Sequence, residues 1–137
     1  MKPPKLDFET MIQRAADAVT SLNPEEVRER IENPKVLLVD IRDVRELERE
    51  GRIPGSKHVP QGMLEFWMHP QSPYYKDYFD GVEEVILHCN KGWRSALAAH
   101  ALQQIGIEVT HMSGGYSEWA QKKFPTEPYE RKPNPTG

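Results

Sequence analysis

Two short apolar runs constrain this chain more than any other feature. Val36-Leu37-Leu38-Val39 ends at Asp40, and Val85-Ile86-Leu87, inside the segment Glu84 to His88, ends at Cys89. Neither run alternates with polar residues, so neither suits a strand with one wet face. Short continuous apolar runs bounded by turn signals read as strands buried on both sides. A helical pattern follows each one. Asp43 to Glu50 is a short charged helix stopped by Gly51, and Ser95 to Ile105 is an alanine- and leucine-rich helix ending at Gly106. Weaker strand candidates at Lys57-His58-Val59 and Glu108 to Met112, and a last helix over Gly115 to Lys122, extend the alternation. Strands alternating with helices imply an α/β fold whose mainly parallel sheet is covered on both faces.

The flanks read differently. Phe8, Met11, Ile12, Ala15, Ala16, Val19 and Leu22 recur at three- and four-residue intervals, which predicts one helix over 8–22. Asn23-Pro24-Glu25-Glu26 opens a second helix, with a capping side chain, a proline at the first helical position and acids at the positive dipole end. Residues 62–80 are rich in aromatic side chains, and two short helices broken around His69-Pro70 and Pro73 are expected. The 12 prolines concentrate at the ends. The expected organisation is a flexible leader over 1–7, N-terminal helices over 8–34 packed on the domain, the domain proper over 35–124, and a disordered proline-rich tail over 125–137.

Composition excludes several classes. With one cysteine in 137 residues, no internal disulfide or multi-cysteine zinc site can form. A net charge of −3 lacks the basic balance of a nucleic-acid binder. No apolar run approaches the ~20 residues of a membrane span. The leader Met1-Lys2-Pro3-Pro4-Lys5 has no apolar signal segment, so the cytoplasm is the expected compartment. The five histidines suggest no metal site: His88 and Cys89 are adjacent on a strand and point to opposite faces, and no pair has helical metal-site spacing. No cofactor is expected.

The chemistry concentrates after the second apolar run, in Cys89-Asn90-Lys91-Gly92-Trp93-Arg94-Ser95. Ligands of open α/β sheets bind outside the carboxyl ends of the strands, and a loop feeding a helix there can turn its N–H groups inward as an anion cradle. Asn90 to Ser95 would form that cradle, with Gly92 allowing the tight backbone path. The helix end, Lys91 and Arg94 would favour the thiolate over a thiol that ordinarily titrates near about 8.5. An activated cysteine of this kind serves nucleophilic covalent catalysis. The plainer alternative, an inert core cysteine, fits poorly with a polar loop, a glycine and two cations following it. Trp93 is either packing or a wall of the substrate pocket. Asp40, at the end of the first run, is expected to support the site by accepting hydrogen bonds from Arg94 or the loop. Its alternative is a salt bridge to Arg42 or Arg45. Arg42 and Glu46 read as solvated charge on the next helix.

Four segments together resemble a single-domain rhodanese, a sulfurtransferase. They are Leu38-Val39-Asp40-Ile41-Arg42-x-x-x-Glu46, Gly51-Arg52-Ile53-Pro54-Gly55-Ser56, Cys89-x-x-Gly92-x-Arg94-Ser95 and Gly114-Gly115-x-x-x-Trp119. The resemblance implies a three-layer fold with a five-stranded parallel sheet between helices. It also implies a persulfide on Cys89, loaded from thiosulfate or another anionic sulfane donor and passed to cyanide, a thiol or a protein acceptor. It casts Lys91 as the group that holds the donor. Relatives often have histidine where this chain has Arg52, so no role of that histidine carries over. Cys89 to Arg94 is Cys-x4-Arg, one residue shorter than the Cys-x5-Arg loops of phosphatases and arsenate reductases sharing the fold. A Cys-based phosphatase or arsenate reductase, and a non-catalytic binding or sensing module, remain the alternatives.

Overall fold

The computed structural model describes residues 1–132. Its elements run α1 (Phe8–Ala18), β1 (Thr20–Leu22), α2 (Pro24–Arg30), β2 (Val36–Asp40), α3 (Val44–Glu50), β3 (Lys57–His58), α4 (Leu64–Met68), β4 (Glu84–His88), α5 (Trp93–Gln104), β5 (Thr110–Met112) and α6 (Gly115–Gln121). Single 3-10 turns precede α4 and cover Asp77–Phe79. The five strands form one sheet in the order β1-β5-β4-β2-β3, and every neighbouring pair is parallel.

The two apolar runs become the paired central strands β2 and β4. Alternate side chains of each enter different cores. Val39, Val85, Leu87 and Cys89 join Ala98, Ala99 and Leu102 of α5 on one face. Leu38 and Ile86 join Val27 of α2 and Tyr116 and Trp119 of α6 on the other. This explains the lack of polar alternation: both faces of β2 and β4 are covered, and only Val36, Leu37 and Glu84 at their starts are partly exposed. From β2 the chain proceeds to one edge, β3, whereas from β4 it proceeds the other way, to β5, whose far side is covered by the N-terminal strand β1. The carboxyl ends of β2 and β4 therefore flank a topological switch point, where such sheets open a crevice.

The helix predicted over 8–22 is two elements. α1 ends at Ala18, Val19 is extended, and Thr20–Leu22 adds an edge strand to β5. The β-branched Val19-Thr20 pair and the free edge of β5 outweigh the helical spacing, and Leu22 is buried in the core opposite the one that Val19 touches. α5 begins at Trp93 rather than Ser95, and the strand expected over Glu108 to Met112 is confined to Thr110–Met112.

The described part of the proline-rich tail also departs from expectation, because residues 125–132 lie on the domain. Trp119 Nε1 donates to the Pro125 carbonyl at 2.8 Å, and Arg52 and Glu127 exchange two backbone hydrogen bonds at 2.8 and 2.9 Å. Arg131 pairs with Glu48 at 2.8 Å. Proline spacing could not reveal these long-range partners. The remaining tail, 133–137, lies outside the described residues.

Candidate active site

β4 delivers Cys89 to the switch point, and the chain then turns sharply into α5. Gly92 makes the turn with φ +93°, in the left-handed region that only glycine adopts freely, and a Cβ there would also lie 3.2 Å from the Gly114 nitrogen. As the N-cap of α5 it carries no side chain to satisfy the helix's first N–H groups. Its own N–H donates to Cys89 Sγ at 3.1 Å. Ser95 Oγ lies 3.6 Å from the same sulfur. Cys89 is 1% exposed, so the thiol sits beneath its loop rather than on it.

α6 supports the loop from below. Tyr116 N–H donates to the Cys89 carbonyl at 2.8 Å, and Ser117 N–H to the Asn90 carbonyl at 3.0 Å. Such contact requires a bare backbone at Gly115: a Cβ there would stand 2.5 Å from the Asn90 carbonyl group and 2.7 Å from the Cys89 oxygen. The Gly114-Gly115 pair of the sequence is thus the seat of the cysteine loop.

The cations divide. Arg94 does not meet Asp40. It makes a two-pronged ion pair with Glu46 of α3, at 2.7 and 3.0 Å. The Arg94 guanidinium beside it holds the Glu46 carboxyl below the usual carboxylate range. Glu46 is therefore a partner of the cysteine loop rather than solvated surface charge. Lys91 is exposed, and its Nζ lies 5.3 Å from the centroid of the Trp93 ring. Trp93 is 47% exposed and meets Phe8 of α1 edge to face at 5.2 Å.

Asp40 lies on the opposite face of the sheet from Cys89, because residues 36, 38 and 40 of β2 alternate with 37, 39 and 41. Its carboxylate is taken by Arg42, through Nε at 3.0 Å, Nη2 at 2.8 Å and the backbone N–H at 3.0 Å. Its expected contact with Arg94 or the loop is replaced by this pair. Arg42 is fully buried, not solvated; it donates to the Gly51 carbonyl at 2.8 Å and stacks over Tyr116 at 4.2 Å. Burial alone would raise the Asp40 carboxyl, but His88, 3.6 Å away, and Arg42 together bring it below its ordinary value. Burial pushes His88 itself below the usual imidazole range.

Sequence reasoning passed over His111. In β5 it stands beside Leu87 of β4, on the Cys89 face of the sheet. Its Nδ1 lies 3.0 Å from Ser95 Oγ and its Nε2 2.8 Å from Ser21 Oγ. Strand parity within β5 was the available signal, and its partner Ser21 was hidden because Thr20 to Leu22 reads as helix. Arg52, at the position where relatives carry histidine, binds its own turn through Ser56 O at 2.8 Å and pairs with Glu127 at 3.3 Å. Among the described residues no three His, Cys, Asp or Glu side chains gather as a metal site, and no helix is long and apolar enough to cross a membrane.

A doubly wound parallel sheet whose switch point holds a thiol under a tight loop, at the head of a helix, defines a cysteine-loop α/β protein. The chain belongs to the rhodanese-like domain family, whose model matches residues 23–122. It is 30% identical over 112 residues to the thiosulfate sulfurtransferase GlpE of Glaesserella parasuis, covering 81% of this chain and 95% of that protein. Among solved structures, it resembles a Rhodopseudomonas palustris protein of unknown function described as a possible tyrosine phosphatase. That match has TM-score 0.84 and 37% identity, over 93% of this chain and 98% of the other. It also resembles the polysulfide-sulfur transferase of Wolinella succinogenes, with TM-score 0.67 and 26% identity over 89% and 88% of the two chains.

Proposed function

We propose that the protein is a sulfurtransferase that carries a sulfane sulfur as a persulfide on Cys89. In the first half-reaction the Cys89 thiolate attacks the outer sulfur of thiosulfate or a similar anionic donor. A new S–S bond forms, the donor's S–S bond breaks, and sulfite leaves with the bonding electron pair. In the second, cyanide or a thiol attacks the terminal sulfur, takes it, and returns the thiolate. A protein thiol can serve as the acceptor.

The observation that carries this reading is the Gly92 N–H aimed at Cys89 Sγ at 3.1 Å, at the uncapped head of α5. A donor fixed there favours anionic sulfur, both thiolate and persulfide. Backbone groups of Asn90 to Ser95 surround the carried sulfur, Lys91 attracts the anionic donor, and Trp93 walls the approach. Asp40 contributes indirectly, by anchoring Arg42 beneath Tyr116. No cofactor takes part, and with one cysteine in the chain no internal thiol can resolve the persulfide. The sulfur therefore leaves to an external acceptor, in a reducing compartment such as the cytoplasm.

A phosphatase is the second reading, favoured by the likeness to the Rhodopseudomonas palustris structure. Two features weigh against it. The loop is Cys-x4-Arg, and the Arg94 fork that would clamp a phosphoryl group is occupied by Glu46. A purely binding module would have no use for the sulfur's hydrogen-bond donor. Intact mass spectrometry after thiosulfate treatment decides. The expected result is a gain of one sulfur atom, removed by cyanide and absent in Cys89→Ser. Hydrolysis of an aryl phosphate without sulfur uptake would establish the phosphatase instead, and neither activity would leave the binding module.

A further inference from the structure

Cys89 is nearly sealed, yet a nucleophilic thiol must lose its proton to solvent. One line of hydrogen-bonding groups leads away from it: Sγ to Ser95 Oγ at 3.6 Å, Ser95 Oγ to His111 Nδ1 at 3.0 Å, and His111 Nε2 to Ser21 Oγ at 2.8 Å. Ser95 and His111 are buried, whereas Ser21, on the edge strand β1, is exposed. Burial holds His111 below the usual imidazole range, so its ring is neutral at neutral pH and carries one proton, on one nitrogen or the other.

Donor counting gives this line two self-consistent states. With the thiol protonated, S–H points to Ser95 Oγ, the Ser95 hydroxyl donates to Nδ1, and Nε2–H donates to Ser21 Oγ. With the sulfur anionic, Ser95 must turn its one proton toward the sulfur, since a charge-assisted bond outweighs the alternative at the Gly92 carbonyl, 3.3 Å away. Nδ1 must then be the donor to Ser95, and Nε2 accepts from the Ser21 hydroxyl. One state becomes the other when each hydroxyl and the ring pass one proton along. The S–H bond breaks, Ser95 gives its proton to Nδ1, Nε2 gives its proton to Ser21, and Ser21 gives its own to water or a buffer base. One proton reaches solvent, and the electron pair stays on sulfur.

We propose that Ser95, His111 and Ser21 form a proton relay from Cys89 to solvent, with His111 as a positioning residue whose tautomer follows the charge on the sulfur. Its use in sulfur loading rests on the sulfurtransferase reading, but the relay itself requires only the thiol. The other titratable groups close to Cys89 are Lys91 and Arg94 on its own loop, with Glu46 of α3 pairing Arg94, and His88 and Asp40 across the sheet. None of these is hydrogen-bonded to the line.

The direct test is ¹⁵N NMR of the histidine-labelled full chain, reading which ring nitrogen of His111 is protonated as the thiol is titrated. The expected result is Nε2–H with the thiol and Nδ1–H with the thiolate, with no such switch in Cys89→Ala. A second readout is the pH profile of iodoacetamide alkylation. His111→Leu is expected to slow it about tenfold at neutral pH and move the midpoint upward. His111→Asn, whose amide can donate from the Nδ1 position, restores it. A His111 tautomer that ignores the thiol overturns the relay, and so does a Leu variant with the wild-type profile. If His111→Leu does not fold, the wild-type tautomer decides alone. A tautomer switch without sulfur uptake from thiosulfate keeps the relay and removes the sulfurtransferase reading.

Discussion

The buried pair beneath the cysteine loop gives the sharpest quantitative expectation. Arg42 and Asp40 both have fully buried side chains. Replacing Arg42 by Met roughly preserves the volume of the stem but removes every donor of the guanidinium. The Asp40 carboxylate loses the bonds from Nε, at 3.0 and 3.2 Å, and from Nη2, at 2.8 Å, and is left in a site closed to water. Breaking one half of a buried pair costs about 3–5 kcal/mol. The Gly51 carbonyl, in a part-buried position, also loses its 2.8 Å donor, a net of about 0.5–1.5 kcal/mol. Glu50 loses a donor too, but its side chain is 32% exposed and water replaces it. The expected loss is therefore about 4 kcal/mol or more, a large part of the roughly 5–15 kcal/mol that stabilises a domain of this size.

Urea unfolding monitored by tryptophan fluorescence measures this loss, and the double variant isolates its cause. In Arg42→Met with Asp40→Leu the stranded charge is gone. The backbone N–H of residue 42 loses its acceptor, at about 1–3 kcal/mol. The double variant should thus be more stable than the single Arg42→Met. A single variant within 1 kcal/mol of wild type would refute the reasoning, as would a double variant no more stable than the single.

Three further expectations follow from the same geometry. Gly115→Ala should disrupt sulfur loading more than tenfold, because its Cβ would meet the Asn90 carbonyl group at 2.5 Å; intact mass after thiosulfate measures it, and unchanged loading would contradict the seating role of α6. Glu46→Gln should release the Arg94 fork and lower KM for thiosulfate several-fold at low salt, with the gain fading as salt screens the cation; a KM indifferent to both would dismiss Arg94 as a source of potential. Stability should be highest above about pH 6.5 and fall in acid. His88 and His111 have folded pKa values below the unfolded value of about 6.5, so the neutral state they favour contributes fully above that pH and is lost as pH falls through the folded values. Asp40 is likewise depressed and adds a loss below about pH 4, so urea midpoints flat from pH 8 to 4 would contradict both histidine assignments, and midpoints that fall no further below pH 4 would contradict that of Asp40.

What the sequence made legible follows the range of the forces involved. The central strands declared themselves because burial on both faces leaves a purely local mark, an unbroken apolar run. The cysteine loop did so because glycine, a helix start and a thiol occur within seven residues. β1 was hidden, since Thr20 to Leu22 is a strand only by virtue of β5, about ninety residues later. Arg42 was misread for a related reason. An arginine among Asp43, Arg45 and Glu46 looks solvated until the strand parity of Asp40 and the approach of Tyr116 from α6 enclose it.

The pairing of Arg94 with Glu46 instead of Asp40 follows from the same parity. Asp40 and Cys89 share an edge of the sheet but point to opposite faces, and an edge alone does not bring side chains together. A one-residue shift in β2 would reverse this, carrying Asp40 to the cysteine face and exposing the thiol to an unpaired carboxylate. The buried Arg42, which satisfies Asp40 only on its own face and is closed over by Tyr116, opposes that shift. The same α6 whose N–H groups hold the carbonyls of Cys89 and Asn90 thereby favours the register that β2 takes in its pairing with β4. Loop geometry and the burial of Arg42 thus both depend on one docked helix. Loss of Arg42 is accordingly expected to slow sulfur loading even in the fraction of molecules that remains folded.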